Sequence, residues 1–247
     1  MKSWLDGVLA TPVIGLQLNP VYKTALAYPM LLAGFLDDLL EEKHPVSVAQ
    51  TQMAGLQVTF TDSGHILRFD VNNAVADFSY QLQGQQSPGE LPALKDVKLR
   101  PYCEIAEELI SLLGAAAETL ADHGSPLVCN RFGLVARASL ADKSLPPGVS
   151  SIKQKFVGQW NHRVAKLDST ALVMLAERDG WVDRCHHKLT FDETTQPGQV
   201  GLVLDWQRVL KEPVALQKGG ASKFLNTNLA AGMSYFERIA DGGFDDE

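Results

Sequence analysis

Leu56-Gln57-Val58-Thr59-Phe60-Thr61 and His65-Ile66-Leu67-Arg68-Phe69-Asp70-Val71 alternate apolar with polar residues, and Asp62-Ser63-Gly64 stands between them. A period of two is what a strand shows when one face is buried and the other wet. The triplet between them is turn chemistry, so the pair predicts an antiparallel hairpin. Asn72-Asn73 tolerates the positive φ of a further turn and passes the chain to a third strand over 74–80. From Tyr102 onward, Ile105, Ala106, Leu109, Leu112, Leu113, Ala116 and Leu120 recur at helical spacing, predicting a helix over 102–123 that His123-Gly124-Ser125-Pro126 stops. A meander followed by one strongly apolar helix is the unit that decides the fold.

The unit recurs. Strands are predicted over 170–178, 181–191 and 200–209, the first two joined by Asp179-Gly180, and Gly219-Gly220 precedes an amphipathic helix over 222–240. Upstream, Pro12-Val13-Ile14-Gly15-Leu16-Gln17-Leu18 reads as a strand and the stretch from Pro29, in its first turn, to Lys43-His44-Pro45, which ends it, as a helix, while 127–141 reads as a long strand in which Gly133 marks a bulge or a close backbone approach. Residues 84–92, rich in Gln, Gly and Pro, and 145–163, which contains Pro146-Pro147-Gly148, read as loops. The expectation is an α+β protein of two similar halves, each an antiparallel meander sheet packed by amphipathic helices. They occupy 1–144 and 145–247, the second ending in the acidic tail Asp241-Gly242-Gly243-Phe244-Asp245-Asp246-Glu247.

A chain of 247 residues with 45% hydrophobic and 21% charged residues can bury a full core without a staple. Twenty-two Lys and Arg against 29 Asp and Glu leave a net charge of -7, which opposes non-specific phosphate binding by the molecule as a whole. Three cysteines, Cys103, Cys129 and Cys185, form no close pair and suggest neither a disulfide framework nor a zinc module. Asp6 interrupts the stretch where a signal peptide needs an apolar core, and Asp37 and Asp38 interrupt the most apolar segment, so a cytoplasmic protein without membrane contact is expected.

No catalytic motif of recognisable spacing appears. Cys185-His186-His187 is the densest run of metal-capable side chains, but on a strand His186 faces away from its two neighbours, so a metal would need distant ligands such as His162 or Asp183. Neither a nucleophile elbow nor a phosphate-cradling loop is present, and no cofactor is expected. Asp70, Asp77, Asp183, Asp192 and Asp205 recur in strands, where paired carboxylates would bind magnesium for phosphodiester chemistry; a solvated sheet face explains the same pattern. Lys153, Lys155, Trp160, Arg163 and Lys166 form the best local candidate for nucleic-acid contact, cations meeting phosphate and the aromatic stacking on bases. In the last helix Phe224, Leu225, Leu229, Met233 and Phe236 form an apolar stripe that suits either core packing or docking on a partner.

At Asn130-Arg131-Phe132-Gly133-Leu134-Val135 the chain resembles a sporadically distributed, poorly characterised bacterial family of similar length, associated with mobile or defence loci. In that family an N-terminal strand opens with proline and valine, here Pro12-Val13, and a central strand carries an Arg-x-Gly-Leu-Arg-Tyr-like motif. Arg131, Gly133 and Leu134 match it, with Val135-Ala136 in place of the Arg-Tyr pair. Leu204-Asp205-Trp206-Gln207 is similar to the family's Leu-Asp-x-Asp pattern without its second acid, and the closing helix with Phe236 fits. The resemblance implies a cytoplasmic α+β protein that works with other proteins, and it brings no catalytic residues. The functional expectation is therefore a non-enzymatic accessory or adaptor subunit of a bacterial protein complex, in phage defence by the resemblance, that binds another protein or itself. The alternatives are a metal-dependent enzyme acting on phosphodiesters and a nucleic-acid-binding module.

Overall fold

The computed structural model describes residues 3–19, 22–42, 44–51, 55–80, 98–157 and 164–242. It is a mixed α+β fold whose strands form one antiparallel sheet. The strands are β1 (Leu9–Leu18), β2 (Val46–Thr51), β3 (Gly55–Phe60), β4 (His65–Phe69), β5 (Asn73–Phe78), β6 (Val128–Ala141), β7 (Lys166–Arg178), β8 (Trp181–Asp192) and β9 (Gln199–Ala215). Their order across the sheet is β2-β3-β4-β5-β1-β6-β9-β8-β7. β1 and β6 meet at the centre with Gly15 opposite Gly133, and each also pairs with the last strand of a meander, β5 and β9 respectively.

The alternation read in the sequence sets the two faces of the sheet. Ile14 and Leu16 of β1, Leu67 and Phe69 of β4, Leu134 and Ala136 of β6, and Leu204 and Trp206 of β9 are all buried on one face. The helices α1 (Tyr22–Leu31), α2 (Ala33–Glu41), α3 (Tyr102–Asp122), α4 (Pro147–Val157) and α5 (Ala221–Asp241) complete the fold. α3 packs on β1, β4 and β5, and α5 packs on β6, β9 and α3. Both hairpin turns foreseen from their glycines are present, with Gly64 at φ 80° and Gly180 at φ 86°. α3 ends as expected: Gly124 takes φ 70° and Ser125 N–H donates to the Leu120 carbonyl at 2.9 Å. The start of α5 is held by α3, because the Glu118 carboxylate accepts from the backbone N–H of Gly219 at 2.6 Å and of Ala221 at 3.1 Å.

Three expectations are corrected. The stretch 145–163 is not simply a loop, since Pro147–Val157 is helical. Proline is tolerated in the first turn, where its missing N–H has no intrahelical partner to lose. Val149 and Ile152 of that helix are buried, and Gly148 lies against Gly242, where a Cβ would come within 2.8 Å of the Gly242 Cα. The single helix expected to begin at Pro29 is two helices, α1, which holds Pro29 near its end and not in its first turn, and α2, with Leu32 between them at φ -94°, ψ 5°. The first meander also gains β2, whose Val46-Ser47-Val48-Ala49-Gln50-Thr51 is too short to announce a strand unaided and is held by pairing with β3. Residues 84–92 lie outside the described residues.

Candidate binding groove

α5 carries two stripes. Leu225, Leu229, Met233 and Phe236 are buried in the core, Phe236 with no exposed surface, so this part of the expected docking stripe is spent on the protein's own packing. Gly232 sits on the same side, where an added Cβ would lie 2.9 Å from both Leu134 Cδ2 and Trp206 Cε3, a measure of how closely the helix rides on β6 and β9. The neighbouring stripe, Phe224, Thr227, Asn228, Ala231, Tyr235 and Arg238, turns toward β8 and borders open space. Phe224 alone of the expected docking residues belongs to it.

Two clefts, each of about 730 Å³, lie along that stripe. One is enclosed by the Asp179-Gly180 turn, Leu210 and Val214 of β9, and the first turns of α5. The other runs between Leu175–Arg178 at the end of β7 and Ala231–Arg238 of α5, over Cys185 and Trp206. They share Trp181 and Arg208, and together form a groove whose helical wall from Phe224 to Arg238 is roughly 21 Å long at 1.5 Å per residue.

The shared floor is a charged stack. Arg208 donates to Asp183 through Nε at 2.8 Å and Nη2 at 3.0 Å, and through Nη1 to Asn228 Oδ1 at 3.3 Å. Its guanidinium carbon lies 4.4 Å from the Trp181 ring centroid and 5.0 Å from that of Trp206. Asn228, 4% exposed, passes its own N–H to the Phe224 carbonyl at 2.8 Å. The planar fork suits this bidentate, stacked position in a way an ammonium does not. Arg208 is thus held in the floor by three hydrogen bonds and two rings, and Lys223 and Arg238 stand toward the two ends of the groove.

Tyr235 continues the wall. Its hydroxyl lies 3.3 Å from His187 Nε2, and the two rings stack at 6.0 Å with 20° between their planes. Burial pushes the Cys185 thiol up to about 12, against the Tyr235 hydrogen bond that favours the thiolate, so the sulfur is a neutral thiol at pH 7. Burial, and secondarily the charge of His186, holds His187 down to about 4, so that imidazole is neutral as well. Aromatic faces, one neutral His-Tyr-Cys cluster and a neutralised arginine give the groove the chemistry of recognition, in which Trp, Tyr and Arg dominate binding energy.

The other sequence candidates are dispersed. Lys153 of α4 pairs with Asp142 at 2.5 Å and lies 4.8 Å over the Phe191 ring, Lys155 is exposed on the same helix, and Lys166 lies 3.6 Å from Asp192. Trp160, His162 and Arg163 lie outside the described residues. Cys185 and His187 occupy the helix-facing side of β8, while His186 is in register with Asp205 on the other side, as alternation requires. Among the described residues no group of three or more His, Cys, Asp or Glu is placed to hold a metal ion, and no helix is long and apolar enough to cross a membrane. Sequence reasoning passed over Trp181, Arg208, Asn228 and Tyr235. One signal for them was present: Arg208 follows Trp206 by two residues and therefore shares its buried face. The chain matches no protein-family model and no curated protein sequence.

Proposed function

We propose that this protein is a non-enzymatic accessory or adaptor subunit that seats a segment of a partner protein in the groove along α5. The observation that carries the reading is the pair of clefts of about 730 Å³ sharing Trp181 and Arg208, each within the roughly 300–1,000 Å³ of sites that recognise ligands. Its walls offer Trp181, Phe224 and Tyr235, rigid aromatic side chains that supply contact area at small entropic cost. The two-halves reading belongs with this proposal. Each half is a strand, helical cover, a meander that returns to that strand, and a closing helix, and the groove is a property of the second. The resemblance at Arg131, Gly133 and Leu134 supports a bacterial complex associated with defence as its setting.

The test is photo-crosslinking from the groove in the native host. A photoreactive residue at Thr227 or Ser234 is expected to capture one partner, and Trp181→Ala is expected to abolish that capture while the protein stays folded. The same residue at Thr59, on the helix-free face of β3, serves as the control. Equal capture from Thr59, or capture indifferent to Trp181→Ala, overturns the proposal.

A further inference from the structure

We infer that the helix-free face of the sheet carries a second, smaller site, a cleft that takes a small carboxylate bearing an apolar chain. The cleft has a volume of about 540 Å³, within the roughly 300–1,000 Å³ of ligand sites, and crosses β1, β6, β9 and β8 near one end of each. Two cross-strand rows build it. Leu9, Ser139, Gly201 and Thr190 are in register in one, and Thr11, Arg137 and Val203 in the next. By alternation all of them lie on the side away from Leu134, Leu204 and the helices. Gly201 makes the depression, because it puts no side chain between Ser139 and Thr190, and a Cβ there would come within 2.5 Å of Thr190 Oγ1. The glycine row crosses four strands, roughly 14 Å at about 4.8 Å per spacing, a floor long enough for an extended chain. Leu9 and Leu99, which border it, are 45% and 43% exposed, two large apolar side chains left facing water. Tyr80 adds a ring whose hydroxyl is spent on Arg100, accepting from its backbone N–H at 3.2 Å and donating to its carbonyl at 3.4 Å. Such walls gain from an apolar body.

Charge complementarity identifies the head group. Arg137 is the single charged residue among the described residues that line the cleft, and it is exposed. Arg68, Arg100, Arg131 and Arg208 each donate to a carboxylate or a side-chain amide, whereas the Arg137 guanidinium has no such acceptor among the described residues. Thr11, opposite Arg137 on β1, and Ser139, two residues on, bring hydroxyl donors beside it, and Lys188, next to Val203 on β8, adds a second exposed cation on the same face. A planar fork flanked by hydroxyls matches a carboxylate. A polyanion would leave Leu9 and Leu99 without apolar contact, and an uncharged lipid would leave Arg137 without an anion. The cleft and the α5 groove lie on opposite faces of the sheet, so the inference does not rest on the proposed function.

Decanoate is the probe, and decanol, with the same chain and no charge, is its control. Calorimetric titration of the full chain is expected to show a single decanoate site that binds decanol more weakly by about tenfold or more. Arg137→Gln is expected to weaken decanoate by a similar factor and leave decanol unchanged. Arg184→Gln, which removes an exposed cation of the same face outside the cleft, is expected to change neither. Leu9→Asp sets a carboxylate in the wall and is expected to abolish decanoate binding. Amide resonances of Leu9, Thr11, Ser139 and Gly201 are expected to shift on titration. Failure of the wild type to bind decanoate, equal affinity for decanol, or undiminished affinity in Arg137→Gln overturns the inference. Shifts confined to Trp181 and Phe224 overturn it too, since they would put the chain in the α5 groove. If Arg137→Gln does not fold, undiminished binding in Leu9→Asp overturns it equally.

Discussion

Replacing Arg208 by alanine tests the account of the groove floor. The guanidinium and the Asp183 carboxylate are 14% and 16% exposed, so truncation leaves a carboxylate mostly out of water with no cation beside it. Breaking a buried pair in this way costs about 3–5 kcal/mol, and the residual exposure here places the ion-pair part near the lower figure. Stacking on Trp181 and Trp206 contributes about 0.5–1 kcal/mol per ring. Arg208→Ala is therefore expected to cost about 4 kcal/mol, a fall in Tm of roughly 8–16 °C for a chain of this size. Asp183→Ala is expected to cost less, about 2 kcal/mol, because the rings and Asn228 still hold the arginine. Since each single change strands the other partner, the double variant is expected to be more stable than the sum of the two by about 2 kcal/mol. Urea unfolding at pH 7 with comparable m-values measures all three. A cost below about 1 kcal/mol for Arg208→Ala, or strict additivity in the double variant, refutes the claim that this pair is one buried unit.

Three further outcomes follow from packing and charge. His187 titrates near 4 in the fold and near 6.5 when unfolded, so between those values the unfolded chain binds a proton that the folded one refuses. Its contribution is complete above pH 6.5 and is lost as the pH falls toward 4, about 3 kcal/mol in all at 1.36 kcal/mol per pKa unit. Unfolding free energies at pH 7 and pH 4 are expected to lie closer together in His187→Gln than in wild type, and a pH 7 to pH 4 difference as large as the wild type's would refute the assignment. Gly148→Ala places a Cβ 2.7 Å from the Gly242 backbone nitrogen and against the Ile239 carbonyl, which neither backbone can yield, so a loss of about 2–3 kcal/mol is expected in thermal unfolding. Glu118→Ala removes the acceptor for the N–H groups of Gly219 and Ala221 and is expected to cost about 1 kcal/mol, with amide exchange accelerated in the first turn of α5.

Much of the sheet was legible because its signals are local. Alternation at 56–71 and the glycine turns at Gly64 and Gly180 specify strands without reference to the rest of the chain, and the apolar stripe of α3 is unmistakable at 21 residues. What stayed hidden depends on partners distant in sequence. α4 owes its docking to Gly148 meeting Gly242, and the central pairing of Gly15 with Gly133 spans more than a hundred residues. The candidate site was the least legible of all. The last helix attracted notice for its strongest apolar side chains, yet Leu225 and Phe236 are the ones the core consumes, because the hydrophobic effect that makes a stripe conspicuous also buries it. The residues left to face the groove, such as Thr227 and Tyr235, have mixed polarity and leave little trace in the pattern.

The groove's position follows from what the helix-facing positions of the sheet carry. In the first meander Val58, Leu67, Phe69 and Ala76 occupy them, all essentially buried. That surface is stable only when covered, and α1 and α3 pack on its strands. In the second meander the corresponding side includes Asp183, Arg208 and, from the helix above, Asn228. A helix laid squarely over these groups would have to desolvate an ion pair, a cost that Coulomb attraction and hydrogen bonding only offset when every donor finds an acceptor. The arrangement found here satisfies the pair internally, caps it with Trp181 and the buried Trp206, and leaves a channel beside α5 that Trp181 and the guanidinium edge border. A segment entering that channel meets the Trp181 ring beside an arginine already paired with Asp183, so it gains apolar contact without stranding that charge. Arg208→Lys tests this directly. The lysine keeps the positive charge but loses the fork and the stacking, so it is expected to weaken partner capture from Thr227 and Ser234 while lowering stability by less than Arg208→Ala. Undiminished capture in Arg208→Lys would mean that the stacked guanidinium shapes the fold alone and that the groove does not depend on it.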